Sequence, residues 1–241
     1  MKISVLRIEK FLDGKQEVIF PVVIQNKNRV FLVDCGYEET IDVFESELNT
    51  LGIKINNISG VIITHDDHDH LGGLKGIKTK HPEVKVYTGV IEQNAVSGKV
   101  KSERLVQAEM SFDSVPDEYK AWASEFIQKL KNRQRFNVDF ALHDGDIIEN
   151  QIRVVHTPGH TKGHISLFYE KERIVVAGDA LIIENGTFNL ANPQFTLDIK
   201  QAIKSIEKIK ALKPNRIICY HGGIMDKALD LHLARLINKY S

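Results

Sequence analysis

The chain alternates short apolar runs with longer amphipathic stretches, and the two periodicities separate strands from helices. Glu17–Gln25 and Asn28–Cys35 are rich in β-formers and are joined by a polar turn at Asn26, Lys27 and Asn28, so they predict paired strands. Glu38–Leu51 then reads as a helix, with Ile41, Phe44, Leu48 and Leu51 at helical spacing. Gly60–Thr64 (GVIIT) is a short buried strand that runs directly into HDDHDHLGG. A helix is expected from near His70, and another strand over Val84–Tyr87. After Asp144 the β pattern returns over Asp146–Glu149, Ile152–Thr157, Ile165–Tyr169 and Ile174–Ala177. A helix over Leu197–Leu212, a strand over Arg216–Tyr220 and a helix over Met225–Ile237 complete the pattern. A β-then-α order that occurs twice predicts two sheets packed face to face, with helices outside.

Residues 91–141 break this rhythm. The stretch is helix-like and holds Phe112, Tyr119, Trp122, Phe126, Phe136 and Phe140. Ser114 to Asp117 resembles a capping box, after which Tyr119, Trp122, Phe126, Ile127 and Leu130 form one apolar stripe. Such a stripe packs on a core, or its aromatics line a substrate pocket as a helical cap; both can hold.

Composition narrows the function classes. The 241 residues can build one large core, and a single domain over 1–241 with a cap at about 91–141 is expected. Lys+Arg and Asp+Glu both number 32, which leaves no electrostatic footprint for nucleic acid or an anionic membrane. The start, MKISVLRIEKF, lacks the pattern of a signal peptide, and no run has the apolar length of a membrane span. Cys35 and Cys219 lie in apolar strand-like runs and read as buried structural thiols, which suits a reducing cytoplasm. The expected partner is a small-molecule substrate.

Chemistry concentrates at strand ends. Thr64-His65-Asp66-Asp67-His68-Asp69-His70 follows the apolar run GVII, and neutral imidazoles beside carboxylates are what a divalent transition metal binds. A solvated charge run explains this poorly, because half of its ionisable groups are histidine and a buried strand precedes it. Gly72 and Gly73 then allow close backbone approach. Thr157-Pro158-Gly159-His160 presents a second histidine after a strand, Gly178-Asp179 places a carboxylate at a strand tip, and Tyr220-His221-Gly222-Gly223 adds a further histidine.

With these motifs the chain resembles the metallo-β-lactamase superfamily, whose first motif, T-H-x-H-x-D-H-x-G-G, aligns with Thr64 to Gly73. The resemblance implies a four-layer α/β fold, an αββα sandwich, with the site at one edge between the sheets. It implies that His65, position 67 and His160 hold one metal, that Asp69, His70 and His221 hold a second, and that Asp179 bridges them. His164 would orient a ligand rather than bind metal. Position 67, usually histidine in this family, is Asp67, and the adjacent His68 is the alternative ligand.

The resemblance also implies the chemistry: two divalent ions sharing a hydroxide nucleophile, with Asp69 and Asp179 positioning it and carrying its proton. Zinc is the expected metal. Asp67 makes the first site harder and less positive, which favours iron or manganese as alternatives. Asp179 separates the chain from class B β-lactamases, and Ile182 stands where the quorum-quenching lactonases carry tyrosine. The chain is too short to include the flavodoxin-like domain of flavodiiron proteins and shows no basic arm like that of RNase Z-like nucleases. Hydrolysis of a carboxylic ester, lactone or thioester is the expected reaction. A mononuclear iron oxygenase resembling persulfide dioxygenases, or a phosphodiesterase, is the alternative.

Overall fold

The architecture follows from how each strand distributes its side chains. The structure, a computed structural model, describes residues 1–12 and 15–240. The chain opens with β1 (Lys2–Val5), β2 (Ile8–Leu12), β3 (Lys15–Ile19), β4 (Val22–Asn26) and β5 (Arg29–Val33). Next come α1 (Ile41–Thr50), β6 (Gly60–Ile63), α2 (His68–Leu71), α3 (Leu74–Lys80) and β7 (Lys85–Gly89). Helices α4 (Gln93–Val96), α5 (Glu103–Ser111) and α6 (Asp117–Asn132) precede β8 (Phe140–Leu142). Then follow β9 (Ile147–Ile148), β10 (Ile152–His156), β11 (Ile165–Tyr169), β12 (Ile174–Gly178), β13 (Ile182–Glu184) and β14 (Thr187–Asn189). The chain continues through α7 (Ile199–Ala211), β15 (Arg216–Cys219), β16 (Gly223–Met225) and α8 (Leu229–Tyr240).

Among the described residues two six-stranded sheets form, in the orders β1-β4-β5-β6-β7-β8 and β16-β15-β12-β11-β10-β9. Period-two alternation divides the apolar side chains between layers. Val22, Ile24, Phe31, Val33 and Ile62 point inward to meet Val154, Leu167, Tyr169, Val176 and Ile218 of the second sheet. Leu32, Val61 and Ile63 point outward onto Phe44, Leu48, Leu74 and Ile77 of α1 and α3. Val175, Ala177 and Ile217 point outward from the other sheet onto Ile203, Ile206, Leu233 and Leu236 of α7 and α8. The result is the expected α/β sandwich, in αββα order. Each fully buried aliphatic side chain adds roughly 1.5–3 kcal/mol.

Local departures from the sequence pattern have identifiable causes. The run over 17–25 breaks at Phe20–Pro21 into β3 and β4, because β4 enters the main sheet between β1 and β5 while β3 pairs with β2. The charges in the first residues hid β1 and β2, whose side chains are partly exposed on one side. The last helix begins at Leu229, not Met225, since Met225 pairs with Ile217 in the sheet. Pro116 precedes α6, and Ser114 makes no cap there; Ser102 instead caps α5 by accepting from the Leu105 amide at 3.1 Å. The buried stripe of α6 is Ala123, Ile127 and Leu130, whereas Tyr119 and Trp122 are more than half exposed.

No described helix is long and apolar enough to cross a membrane. Cys35 and Cys219 are buried free thiols, and burial pushes both well above the usual thiol range.

Candidate metal centre

Four strand ends from the two sheets deliver the site. β6 ends at Ile63 and runs through Thr64 into the loop His65-Asp66-Asp67 and then α2. β10 leads through Thr157 to His160, β12 ends at Gly178 before Asp179, and β15 leads through Tyr220 to His221. Two close approaches set the geometry. A Cβ on Gly73 would fall 2.0 Å from the Cys35 carbonyl oxygen, so only glycine lets the turn after α2 sit against the end of β5. Gly178 has φ +55°, and a Cβ there would fall 2.7 Å from His164 Nε2.

The predicted residues converge into overlapping groups. His65, Asp67 and His160 form one, and Asp69, His70 and His221 another; within each, one donor atom per residue lies within 4.8 Å of the others. Asp179 lies between them, with Oδ1 3.3 Å from His70 Nε2 and 3.7 Å from His221 Nε2, and Oδ2 3.6 Å from His160 Nε2. His68 is in neither group. Its half-exposed ring sits near Tyr37 and Phe126, with centroid distances of 5.2 and 6.4 Å.

These residues fit divalent ions on one specific observation. His65 Nε2, His70 Nε2 and Asp179 Oδ1 are buried and have no hydrogen-bond partner among the described residues. Yet His65 Nε2 is 3.4 Å from Asp67 Oδ2 and His70 Nε2 is 3.3 Å from Asp179 Oδ1. Close approach without hydrogen-bond alignment is what lone pairs aimed at a common third point produce, and buried polar atoms are costly unless something satisfies them.

The electrostatics agree. Burial opposes the charge on Asp67, but Arg104 beside it, a hydrogen bond from His160 and the nearby His65 ring hold its carboxyl well below the usual range. Burial likewise opposes Asp69 and Asp179. For Asp69, His70 and a hydrogen bond from His221 prevail; for Asp179, His221 and His70 do, and both carboxyls end low. His70 is pushed up, against burial, by Asp179, Asp34 and Asp69. Carboxylates that draw imidazoles toward protonation mark a cluster that seeks positive charge, which a divalent ion supplies in place of the proton.

Residues outside the motifs orient the cluster. Asp34, at the end of β5, accepts from the Thr64 amide and hydroxyl, both at 2.8 Å, and from His70 Nδ1 at 2.9 Å. That leaves His70 Nε2 as the free donor atom, the arrangement that fixes a ligating imidazole. His164 accepts from the Asp179 amide at its Nε2 (3.0 Å), and its Nδ1 meets Thr157 Oγ1 at 2.9 Å, so both ring nitrogens are spent and neither is free for an ion. Burial, with His65 and His160 nearby, pushes it well below its usual value and keeps it neutral. The Tyr220 hydroxyl donates to the Asp69 carbonyl at 2.5 Å.

Arg104 lies outside every sequence motif of the site. From α5 its Nε lies 3.2 Å from Asp67 Oδ1 and its Nη2 2.8 Å from Asp67 Oδ2. The charge of Asp67 therefore already faces a guanidinium. Arg104 thus offsets the negative charge that Asp67 adds to the first site. The detectable signal was Asp67 itself, since an extra carboxylate in a buried loop calls for a cation.

The cluster opens into a cleft of about 410 Å³ walled by Tyr37, His68, Phe126, Ile182 and Phe195. A second cavity of about 420 Å³ shares Arg104, Phe126 and Phe195 with it and is lined further out by Trp122. Trp122 stacks on Phe126 at 5.5 Å between centroids, with 4° between the planes.

Comparison with known proteins agrees with this picture. A family model described as the metallo-beta-lactamase superfamily matches residues 16–221. A probable metallo-hydrolase of Bacillus subtilis, YflN, is 28% identical over 230 residues, spanning 87% of this chain and 82% of that protein. The hydroxyacylglutathione hydrolase of Francisella tularensis subsp. novicida is 24% identical over 209 residues, or 83% of this chain and 66% of that protein. Among solved structures, a metallo-beta-lactamase family protein from Thermus thermophilus aligns with a TM-score of 0.70 at 21% identity, over 99% of this chain and 79% of that one.

Proposed function

The chain belongs to the metallo-β-lactamase superfamily, and from that membership we propose that it is a metal-dependent hydrolase acting on a small carboxylic ester, lactone or thioester. His65, Asp67 and His160 would hold one divalent ion and Asp69, His70 and His221 a second, with Asp179 shared. Zinc is the first choice, since nitrogen and carboxylate donors suit it. A bound ion supplies Lewis acidity at the scissile carbonyl and a water of lowered pKa.

The chain's own groups do the rest. Asp179 Oδ1, buried and free of any hydrogen bond among the described residues, is available to hold the attacking water. Asp69, kept ionised by His70 and His221, would take its proton and pass it to the leaving oxygen or sulfur. His164 fixes the Asp179 backbone, and Tyr220 fixes that of Asp69. Phe126, Phe195 and Ile182 exclude water on the far side and offer apolar contact to an acyl group. The thioester branch gains support from the hydroxyacylglutathione hydrolase relative.

The observation that carries this reading is the set of buried, unpartnered donor atoms opening on an aromatic-walled cleft. It is tested by metal analysis of the purified protein, then assay of the zinc-loaded protein on thioesters, esters, lactones and phosphodiesters. Turnover of a thioester or ester that a chelator abolishes is expected. Inertness of the loaded protein toward all carboxylic substrates would reject the assignment.

A further inference from the structure

Asp66 and Asp67 are neighbours, and each meets a different arginine from the segment between β7 and β8. Asp66 pairs with Arg133, which also donates to the Asp66 carbonyl. Asp67 takes Arg104 by both carboxylate oxygens. The Arg104 side chain is only 5% exposed. Its third nitrogen, Nη1, donates to Gln107 Oε1 at 2.6 Å, and its guanidinium lies 5.0 Å from the centre of the Phe195 ring. Nη2 also lies 3.3 Å from His160 Nε2. Of the donor atoms in the His65–Asp67–His160 group, two therefore already face a guanidinium nitrogen. No arginine or lysine among the described residues forms an ion pair with Asp69 or Asp179.

We propose that Arg104 is a built-in cation for the His65–Asp67–His160 half-site, so that the centre takes its first divalent ion at Asp69, His70, Asp179 and His221 and a second only when Arg104 leaves Asp67. This rests on reading the cluster as a metal centre. An ion bound to Asp67 Oδ2 would share that oxygen with Arg104 Nη2, which also faces His160 Nε2, and it would place two positive charges beside a third where water screens them little. An arginine cannot relieve that conflict by losing its proton. It can relieve it by moving, and the second cavity, which Arg104 also lines, offers the space. The two halves thus differ in affinity although both present a full set of donors.

The test is stepwise zinc titration of chelator-stripped protein against a chromophoric competitor, with bound metal counted after gel filtration. The natural chain should retain one equivalent, with the second bound about 100-fold more weakly or worse. His70→Ala should lose the tight equivalent, and His65→Ala should keep it. Arg104→Gln should strengthen the second equivalent until two are retained. Should that variant fail to fold, the two dissociation constants of the natural chain and the two histidine variants still decide. Equal constants for both equivalents, or loss of the tight equivalent in His65→Ala but not in His70→Ala, would overturn the proposal. A natural chain that binds no zinc at all would instead refute the metal-centre reading itself.

Discussion

The two halves of the cluster use the same kinds of residue, but the chain supports them differently. Behind His70 stands Asp34, which accepts three hydrogen bonds and joins the end of β5 to Thr64 and to α2. Behind the loop of His160 stands Glu92, whose carboxyl among the described residues accepts one hydrogen bond, from the Thr161 hydroxyl. In front of the second half is open cleft, and His221 is about a third exposed there. In front of the first half lies Arg104. A set of donor atoms is only part of a metal site: what orients the ligands, and which charge already sits among them, decides how tightly each half holds an ion.

Asp179 is where the distinction should vanish, because it touches His70 and His221 on one side and His160 on the other. Asp179→Asn removes the charge common to both halves. A loss of about 1000-fold in kcat/KM, roughly 4 kcal/mol of transition-state stabilisation, is expected on whichever ester or thioester the protein cleaves. A variant within tenfold of the natural rate, at equal metal content, would show that Asp179 neither holds the water nor serves both halves.

Glu92 sharpens the contrast through pH. Burial lifts its carboxyl to about 8, only partly offset by the Thr161 hydrogen bond. The folded protein therefore binds this proton more tightly than the unfolded chain does. The stability it contributes is complete below the ordinary value of 4.5 and is lost as pH rises toward 8. Glu92→Gln mimics the protonated form. Denaturant unfolding at pH 5, 7 and 9 should show the variant gaining on the natural protein with rising pH, by on the order of a few kcal/mol by pH 9. A constant difference across that range would mean that Glu92 is not held protonated.

Behind the other half, Asp34→Asn keeps the shape but removes the charge facing His70 Nδ1. Zinc affinity of the second half should fall by about 10–100-fold in competition with a chelator. The first half should be unaffected. An unchanged affinity would show that Asp34 holds the loop and does not tune His70.

What could be read from the sequence follows this same line. His65, His160, Asp179 and His221 were legible because each follows an apolar run closely beside small residues. Asp69 and His70 were legible because a run of mixed His and Asp is rare after a buried strand. Both are local patterns that need no knowledge of the fold. The alternation of Val61, Ile62 and Ile63, and of Val175 and Val176, likewise marked two-sided strands. Asp34 and Arg104 were not legible, since each acts across the fold on a residue more than thirty positions away. Asp34 did leave a trace, as a lone carboxylate closing the apolar run of β5, with φ +58°. Arg104 sits among Ser102, Glu103 and Leu105 like any helix-surface arginine, and only its burial reveals it. The aromatic stripe of α6 was legible as a stripe but not in its facing. Ala123, Ile127 and Leu130 turn inward, and Trp122 turns out along the second cavity.

That facing gives the mildest of the expected effects. Trp122 is 55% exposed and stacks on Phe126, whose other neighbours are Phe195 and His68. It belongs to the cavity on the Arg104 side of the centre and does not line the cleft that holds the donor atoms. Trp122→Ala should therefore leave metal content unchanged at both halves. Stability should fall by only about 0.5–1.5 kcal/mol, the worth of one exposed aromatic stack. If an acyl group extends past Phe126 into this second cavity, the ratio of kcat/KM for long over short acyl chains should drop several-fold, on the order of 1 kcal/mol. Measuring both ratios on the zinc-loaded protein separates the roles. A variant that unfolds assigns Trp122 to packing, and one with the natural ratio and natural stability removes the second cavity from the substrate's path.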